Sequence, residues 1–320
     1  MVDDSKVADP NEHRGAVLAA LAANLAIAVA KLLGFLFTGA ASLLAEAIHS
    51  VADTANQGLL LFGARRSRRE PSSTHPFGYG KERYFWAFVV SMVLFAGGGL
   101  FALFEAEEKL RNPHELESLG VAIAILLVAV VFEGLSLRTA IRHANQTRSG
   151  QPWLAFIRHS KEAELPVVLL EDTGAIVGLG FALVGVSMAA ITGNPRFDAL
   201  GSLGIGLLLV VIALTLAVEM KSLLIGEAAS RDDTRAVRDA IDADTRVQRI
   251  TSMQTQQLAP HELFVGVKLV MDPALAGDAL ARALDEIERA IRAAVPDATQ
   301  VYLEPEVAND AERPDATPAS

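Results

Sequence analysis

The sequence contains no cysteine among its 320 residues. Disulfide bonds and thiolate metal sites are therefore excluded, and a transition-metal site in this chain has to use histidine, aspartate, glutamate or water. The zinc-peptidase motif His-Glu-x-x-His is also missing, which argues against an intramembrane metallohydrolase. If the chain binds a metal, the sequence predicts nitrogen and oxygen ligands.

Basic residues are in the minority, with 28 Lys and Arg against 38 Asp and Glu, for a formal net charge of -10. A negative balance of this size argues against nucleic acid as a partner. Residues 1–12 lack the basic start and short apolar core of a secretory signal. We therefore expect the first hydrophobic segment to stay in the mature protein.

Apolar residues dominate, at 51% of the chain with a mean hydropathy of +0.33, which is too apolar for an ordinary soluble protein. A membrane helix needs about 20 apolar residues to cross the hydrocarbon layer. The sequence predicts an α-helical membrane protein with six transmembrane helices, at residues 14–38, 41–63, 82–105, 118–138, 165–191 and 198–223.

Two connecting loops, 64–83 and 138–163, are rich in arginine and lysine. Basic loops stay on the cytoplasmic side of a membrane, so both loops and both termini are predicted to be cytoplasmic. The Ala-, Arg- and Asp-rich composition without a targeting signal favours a bacterial inner membrane.

The second span carries a polar stripe through an otherwise apolar helix. At 100° per residue, one face collects Ser42, Glu46, His49, Asp53 and Asn56. Ionisable groups are costly in hydrocarbon, so this face is predicted to turn toward other helices or water. Because His49 and Asp53 are one helical turn apart, they can share one divalent cation, with Glu46 as a further candidate ligand. The alternative is a buried polar network that only fixes helix packing.

The fifth span contains adjacent carboxylates, Glu171 and Asp172, which point about 100° apart on a helix. We expect Asp172 to complete the site of His49 and Asp53, with Glu171 as the other possibility. In the first span, Lys31 is either a modulator of this site or a structural residue that pairs within the bundle.

Beyond residue 226 the pattern becomes that of a soluble domain. Helical and strand periodicities alternate in the order α-β-β-α-β, which predicts a small cytoplasmic α+β domain of the ferredoxin-like type. Its modest core favours homodimer formation. The predicted domains are a tail at 1–13, a transmembrane domain at 14–225, the cytoplasmic domain at 226–307 and a disordered tail at 308–320.

Five short motifs are distinctive in the chain. They are Lys-Leu-Leu-Gly-Phe-Leu-Phe-Thr-Gly-Ala-Ala-Ser-Leu-Leu from position 31, Ala-Ile-His-Ser-Val-Ala-Asp, His-Pro-Phe-Gly-Tyr-Gly-Lys-Glu, Asp-Ala-Leu-Gly-Ser-Leu-Gly-Ile-Gly and Leu-Leu-Ile-Gly-Glu-Ala. Together they resemble the cation diffusion facilitator family of proton-coupled metal exporters. The sequence Leu-Leu-Glu-Asp in the fifth span is similar to that of a divergent branch of the family, which includes the ninth mammalian zinc transporter.

The resemblance implies a transport site at His49 and Asp53, with Asp172 matching the aspartate of the fifth span. Val168 stands where relatives have another ligand, and the resemblance implies that Glu171 compensates. The site of some bacterial members in the soluble domain requires His where this chain has Thr251, Lys268 and Glu304, so no metal is expected there.

The expected function is efflux of a divalent cation in exchange for protons, without enzymatic activity and without a cofactor. Nitrogen and oxygen ligation favours zinc as the transported ion, with manganese, iron, cobalt and cadmium as alternatives. A non-transporting membrane scaffold is the rival interpretation.

Overall fold

A computed structural model describes residues 25–113, 118–148 and 150–306. The described residues divide into two compact units, one comprising those up to Arg69 together with those of Glu82–Lys221, and the other comprising Glu70–Lys81 and those from Ser222 to Glu306. The predicted tails at 1–13 and 308–320, and the beginning of the first predicted span, lie outside the described residues.

The first unit is helical. Its elements are α1 (Leu25–Thr38), α2 (Ala41–Ser67), α3 (Glu82–Val93), a π-helical segment (Leu94–Leu100), α4 (Phe101–Arg111), α5 (Leu119–Thr147), α6 (Trp153–His159), α7 (Glu164–Thr192) and α8 (Arg196–Ile225).

Four helices in the described part of the chain are long and apolar enough to cross a membrane. They are Glu82–Arg111, Leu119–Gln146, Glu164–Thr192 and Arg196–Ile225. The described part of the first predicted span is a shorter apolar helix, Leu25–Thr38. The second predicted span lies within α2, a continuous helix of 27 residues that carries the polar stripe among its apolar residues. Four candidate spans are therefore established, and the count of six stays a prediction.

The start of α2 is fixed by a carboxylate from another helix. The turn from α1 into α2 contains Gly39 at φ +68°, a left-handed conformation that glycine adopts without steric cost. The Asp198 carboxylate of α8 then accepts hydrogen bonds from the backbone N–H groups of Ala41 at 2.6 Å and Ser42 at 3.2 Å. The Ser42 hydroxyl donates to the same carboxylate. An acceptor with negative charge satisfies the free N–H groups of a helix N-terminus.

Helices α7 and α8 approach each other at two glycines. A Cβ atom at Gly185 would lie 2.8 Å from the Phe197 carbonyl oxygen, and one at Gly201 would lie 2.9 Å from that of Phe181. Neither distance leaves room for a side chain. Small residues allow such close backbone contact between membrane helices, and α7 and α8 are thereby closely packed.

The second unit contains α9 (Arg231–Asp242), β1 (Val247–Ala259), β2 (Glu262–Met271), α10 (Asp278–Ala294) and β3 (Gln300–Glu306). The sheet order is β1-β2-β3, with β1 antiparallel and β3 parallel to the central β2. Val265, Val267 and Leu269 point from β2 into a core shared with Ile241 of α9 and Ile287 of α10. The predicted order α-β-β-α-β is present in this small sheet domain.

Some predicted bounds were wrong. The third apolar helix continues to Arg111, beyond the expected end at 105, because the sequence Glu-Ala-Glu-Glu-Lys-Leu-Arg is a good helix former despite its charge. The loop at 138–163 contains the short helix α6, which the sequence reading missed.

Candidate functional site

The polar stripe predicted on the second span lies on α2 and is largely buried. Glu46, His49 and Asn56 are at most 1% exposed, and the Asp53 side chain is 14% exposed. Helix α2 packs against α3, α4, the π-helical segment and α7. The stripe therefore faces protein, as expected from the cost of ionisable groups in hydrocarbon.

His49 and Asp53 form the closest acid–imidazole pair on the stripe, with Nε2 and Oδ2 3.4 Å apart. Both ring nitrogens of His49 and Oδ1 of Asp53 are buried, and among the described residues they have no hydrogen-bond partner. The same holds for Oε1 of Glu46 and Oδ1 of Asn56. Buried polar atoms are normally satisfied by protein, water or an ion. A run of unsatisfied donors and acceptors along one face is thus typical of a ligand-binding surface.

The two carboxylates of α7 contact different helices. Oε1 of Glu171 accepts a hydrogen bond from Nδ2 of Asn56 on α2, at 2.7 Å. Oδ2 of Asp172 accepts a hydrogen bond from the Ser136 hydroxyl of α5, at 2.9 Å. Their residues are 3% and 8% exposed, respectively. Glu171 is therefore the α7 carboxylate that reaches the α2 stripe directly, whereas Asp172 is directed toward α5.

The charge of Asp53 acts on both Glu171 and Asp172, so the three carboxylates belong to one electrostatic cluster. Nevertheless, within the described residues no group of three His, Asp or Glu side chains is arranged closely enough to hold a metal ion. The structure thus brings His49 together with Asp53, and Glu171 together with Asn56. It does not assemble the predicted set of His49, Asp53 and Asp172 into one coordination shell.

Glu46, the other candidate ligand of the stripe, is engaged by Lys31 of α1. The ammonium Nζ lies 3.1 Å from Oε2 of Glu46, 2.8 Å from Oγ of Ser50 and 3.5 Å from Oε1 of Glu133 on α5. The pairing role considered for Lys31 is therefore observed. Oε1 of Glu46 points at α7, where a Cβ atom on Gly178 would lie 2.6 Å from it.

A polar cleft of about 430 Å³ lies between α5 and α7. It extends from Glu162 and Glu164 at the start of α7 to Asp172, two turns further along the helix. Its walls include Ser136, Thr139 and His143 of α5, and Leu165 and Val168 of α7. Asp172 therefore borders a cavity large enough to hold several water molecules.

The sequence did not identify Glu133 as a partner of Lys31, Ser136 as a partner of Asp172 or Asn56 as a partner of Glu171. One signal was available, because Glu133 is the single charged residue in the apolar run from 119 to 137. Ser136 follows three residues later and so lies near the same face of the helix. A charge inside an apolar span indicates a buried partner.

In the second unit, the three positions where no metal was expected are held by polar contacts. Nζ of Lys268 lies 3.2 Å from Oε1 of Glu304 and 3.5 Å from Oε1 of Glu306. The Thr251 hydroxyl donates to Oε2 of Glu306 at 2.6 Å. The neighbouring Glu304 raises the pKa of Lys268, so its ammonium stays charged. Lys268 thus supplies the positive charge that faces these acids.

Comparison with known families gives two matches that cover most of the chain. A family model described as the cation efflux transmembrane domain matches residues 17–225. A model described as the cytoplasmic domain of cation efflux proteins matches residues 229–306.

Individual relatives agree with these models. The chain is 33% identical over 230 residues to the mitochondrial proton-coupled zinc antiporter SLC30A9 of Mus musculus, a match that covers 71% of this chain and 41% of the relative. It is 30% identical to metal tolerance protein C4 of Arabidopsis thaliana, over 68% of this chain and 48% of that one. The cation-efflux pump FieF of Serratia proteamaculans is 29% identical, with 82% of both chains covered. The chain thus spans less than half the length of the first two relatives.

Proposed function

We propose that this chain, which belongs to the cation efflux family, moves a divalent metal cation across a membrane in exchange for protons. The family consists of membrane transporters, not enzymes. The observation that carries the proposal is the buried stripe of α2, where both nitrogens of His49 and Oδ1 of Asp53 have no hydrogen-bond partner among the described residues. Imidazole nitrogen with carboxylate oxygen favours zinc, and similar relatives are named zinc antiporters.

The transport site we propose consists of His49 and Asp53 on α2 together with the acidic pair of α7. Glu171 contacts the α2 stripe through Asn56, and Asp172 borders the polar cleft. One carboxylate is then reachable from solvent while the other stands beside the α2 ligands. We assign Glu171 to the ion together with His49 and Asp53, and Asp172 to the path by which the ion enters from the cleft.

Exchange follows from ligand protonation. A metal ligand has to be deprotonated to bind, so loading the ion expels protons, and protons arriving from the other side promote its release. His49 is the imidazole among the proposed ligands, and histidine is the side chain that most often exchanges protons under physiological conditions, so we assign it the coupling role. The carboxylates supply the negative charge that the doubly charged ion neutralises.

The wider organisation of the protein is part of the same proposal. The chain has six transmembrane helices within residues 14–225, a cytoplasmic domain at 226–307 and both termini in the cytoplasm, and it works as a homodimer in a bacterial inner membrane. The basic loops support this orientation. The rim of the cleft, at Glu162 and Glu164, adjoins the second basic loop. The cleft would thus open toward the cytoplasm.

The test measures uptake of zinc, manganese, iron, cobalt and cadmium into proteoliposomes with a metal-sensitive dye. His49→Ala and Asp53→Asn each remove a proposed ligand. Loss of an outer-shell partner typically costs about 10- to 100-fold, and we expect loss of a direct ligand to lower zinc transport by at least that much. Asp285→Asn, an exposed position on α10, is the matched control and should transport like wild type. Unchanged transport in both site variants would contradict the assignment. A wild type that moves no metal would favour a scaffold.

A further inference from the structure

Lys31 is a buried cation that has no role in the transport site proposed above. Its side chain is 0% exposed, although a lysine in a membrane helix normally extends toward the interface. The ammonium instead contacts Glu46 and Ser50 on α2 and Glu133 on α5. Lys31 therefore sits at the junction of three helices, on the edge of the α2 stripe.

The ammonium lies close to the proposed ion site. Ser50, which accepts its hydrogen bond at 2.8 Å, directly follows His49 in the chain. Glu46 precedes His49 by one helical turn, and Asp53 follows Ser50 by three residues. The charge of Lys31 acts on both His49 and Asp53. A positive charge thus occupies the stripe within about one helical turn of the proposed ligands.

Charge balance gives this arrangement a consequence beyond packing. The cluster contains the carboxylates of Glu46, Glu133, Asp53, Glu171 and Asp172, and Lys31 pairs with two of them, Glu46 and Glu133. Burying so many acids without a compensating cation is costly. A divalent ion at His49 and Asp53 would neutralise the same acids and would repel the ammonium. Lys31 and the transported ion are therefore alternative counter-ions for one set of carboxylates.

We propose that Lys31 is a resident counter-ion that weakens binding of the transported cation and so promotes its release. The proposal rests on the transport function above and assigns Lys31 a role in setting affinity. Lys31 is a positioning and affinity-setting residue and not a ligand. An ammonium cannot dissociate from the chain, so its repulsion acts in every transport cycle. The salt bridge to Glu46 keeps it near the site, and the unsatisfied Oε1 of Glu46 faces Gly178 of α7.

The experiment measures the zinc Kd of purified full-length protein by calorimetry, along with KM and kcat for transport. Lys31→Met removes the charge while keeping a long apolar chain, and we expect zinc to bind about tenfold more tightly, because a charge within one turn is little screened in a membrane. kcat should fall, since release becomes slower. Lys31→Arg keeps the charge and should keep the affinity of the wild type within about threefold.

A double substitution separates this role from two others. Glu46→Gln alone leaves Lys31 less compensated, so zinc binding should weaken. Lys31→Met combined with Glu46→Gln removes one charge of each sign, and its Kd should return toward that of wild type. If Glu46 were instead a metal ligand, the double variant would stay as weak as Glu46→Gln, and the proposal would be overturned.

Melting temperature provides the remaining control. A purely structural role for Lys31 predicts three results together. Lys31→Met lowers the melting temperature, the double variant restores it, and all folded variants have the same zinc Kd. In that case Lys31 serves packing alone and the proposal fails. If Lys31→Met does not fold, the comparison of Glu46→Gln with the double variant decides in the same way. Failure of the transport proposal looks different, because wild-type protein would then show neither saturable zinc binding nor transport.

Discussion

At the scale of single residues, Glu171 and Asp172 show how neighbours in sequence reach different partners. Asn56 of α2 holds the first, and Ser136 of α5 holds the second. The pattern of the fifth span predicted Asp172 as the α7 ligand, and the resemblance also matched it to the family's aspartate. The contacts now give Glu171 the more direct link to the α2 stripe.

Matched substitutions at these two positions separate their roles. Because Glu171 reaches α2, Glu171→Gln should raise the zinc Kd by about 10- to 100-fold, the range for disturbing a metal site. Asp172→Asn leaves the α2 stripe intact but alters the floor of the cleft, so it should lower the rate of zinc entry with a smaller effect on equilibrium Kd. Calorimetry and stopped-flow binding measure the two quantities.

The isosteric amides keep the side-chain volume, so they also serve as each other's folding control. An Asp172→Asn protein that loses equilibrium binding while Glu171→Gln retains it would show that Asp172 is the ligand. That result would restore Asp172 as the α7 ligand, as the sequence predicted.

At the scale of secondary structure, α2 depends on a cap supplied by α8. Asp198 belongs to one of the five motifs, but its role could not be predicted from the sequence, since a contact across 157 residues leaves no local signature. Asp198→Ala removes an acceptor from two backbone N–H groups and should lower the free energy of unfolding by about 1–2 kcal/mol. Melting of the purified protein in detergent measures the loss.

Asp198→Asn is the control for this cap because an asparagine oxygen still accepts hydrogen bonds at a helix N-terminus. Its melting temperature should lie between those of wild type and Asp198→Ala. Equal melting of all three proteins would mean that the cap contributes nothing to the stability of α2.

The entry into β1 gives a stability prediction that depends on pH. The Arg246 guanidinium donates to both oxygens of Asp244, at 2.8 and 2.6 Å, and lowers the pKa of that carboxyl below its usual value. A carboxyl whose pKa is lower in the folded state stabilises the fold above its unfolded pKa, near 3.9, and that contribution disappears as the pH falls through the folded value.

Asp244→Asn should therefore lower the protection of the β1 amides at pH 7, and its difference from wild type should shrink as the pH falls below about 4. Hydrogen exchange of peptides from Val247–Ala259 measures this protection. Asp285→Asn, at an exposed position of α10, removes one negative charge without removing the Arg246 contact and is the control. A difference that stays constant with pH would contradict the linkage.

At the scale of the whole molecule, element types could be predicted from local pattern and partners could not. The α2 stripe and the α-β-β-α-β order follow from periodicities of 3.6 and 2 residues, which the sequence displays directly. The pairing of Lys31 with Glu46 and Glu133 joins residues 15 and 102 positions apart. Spacing along the chain cannot choose among such distant partners, because several helix arrangements bury the same faces.

Exchange of metal for protons is a property of the whole transport cycle, and it can be measured without assigning any residue. If zinc and protons compete for one ligand set, an acid-inside gradient should drive zinc into vesicles and make the lumen more alkaline. With no membrane potential, each pH unit should support about tenfold accumulation of zinc for each proton exchanged per zinc ion, since one unit corresponds to 1.36 kcal/mol. Zinc and pH dyes enclosed together report both movements.

A protonophore separates coupling from simple permeation. Collapsing the gradient should reduce zinc to its equilibrium level, and vesicles with His49→Ala should show neither zinc entry nor the accompanying proton loss. Vesicles in which zinc reaches the same level with and without the gradient would contain an uncoupled pathway. In that case His49 would serve as a metal ligand only, because a binding group that exchanges no protons cannot link the ion to the gradient.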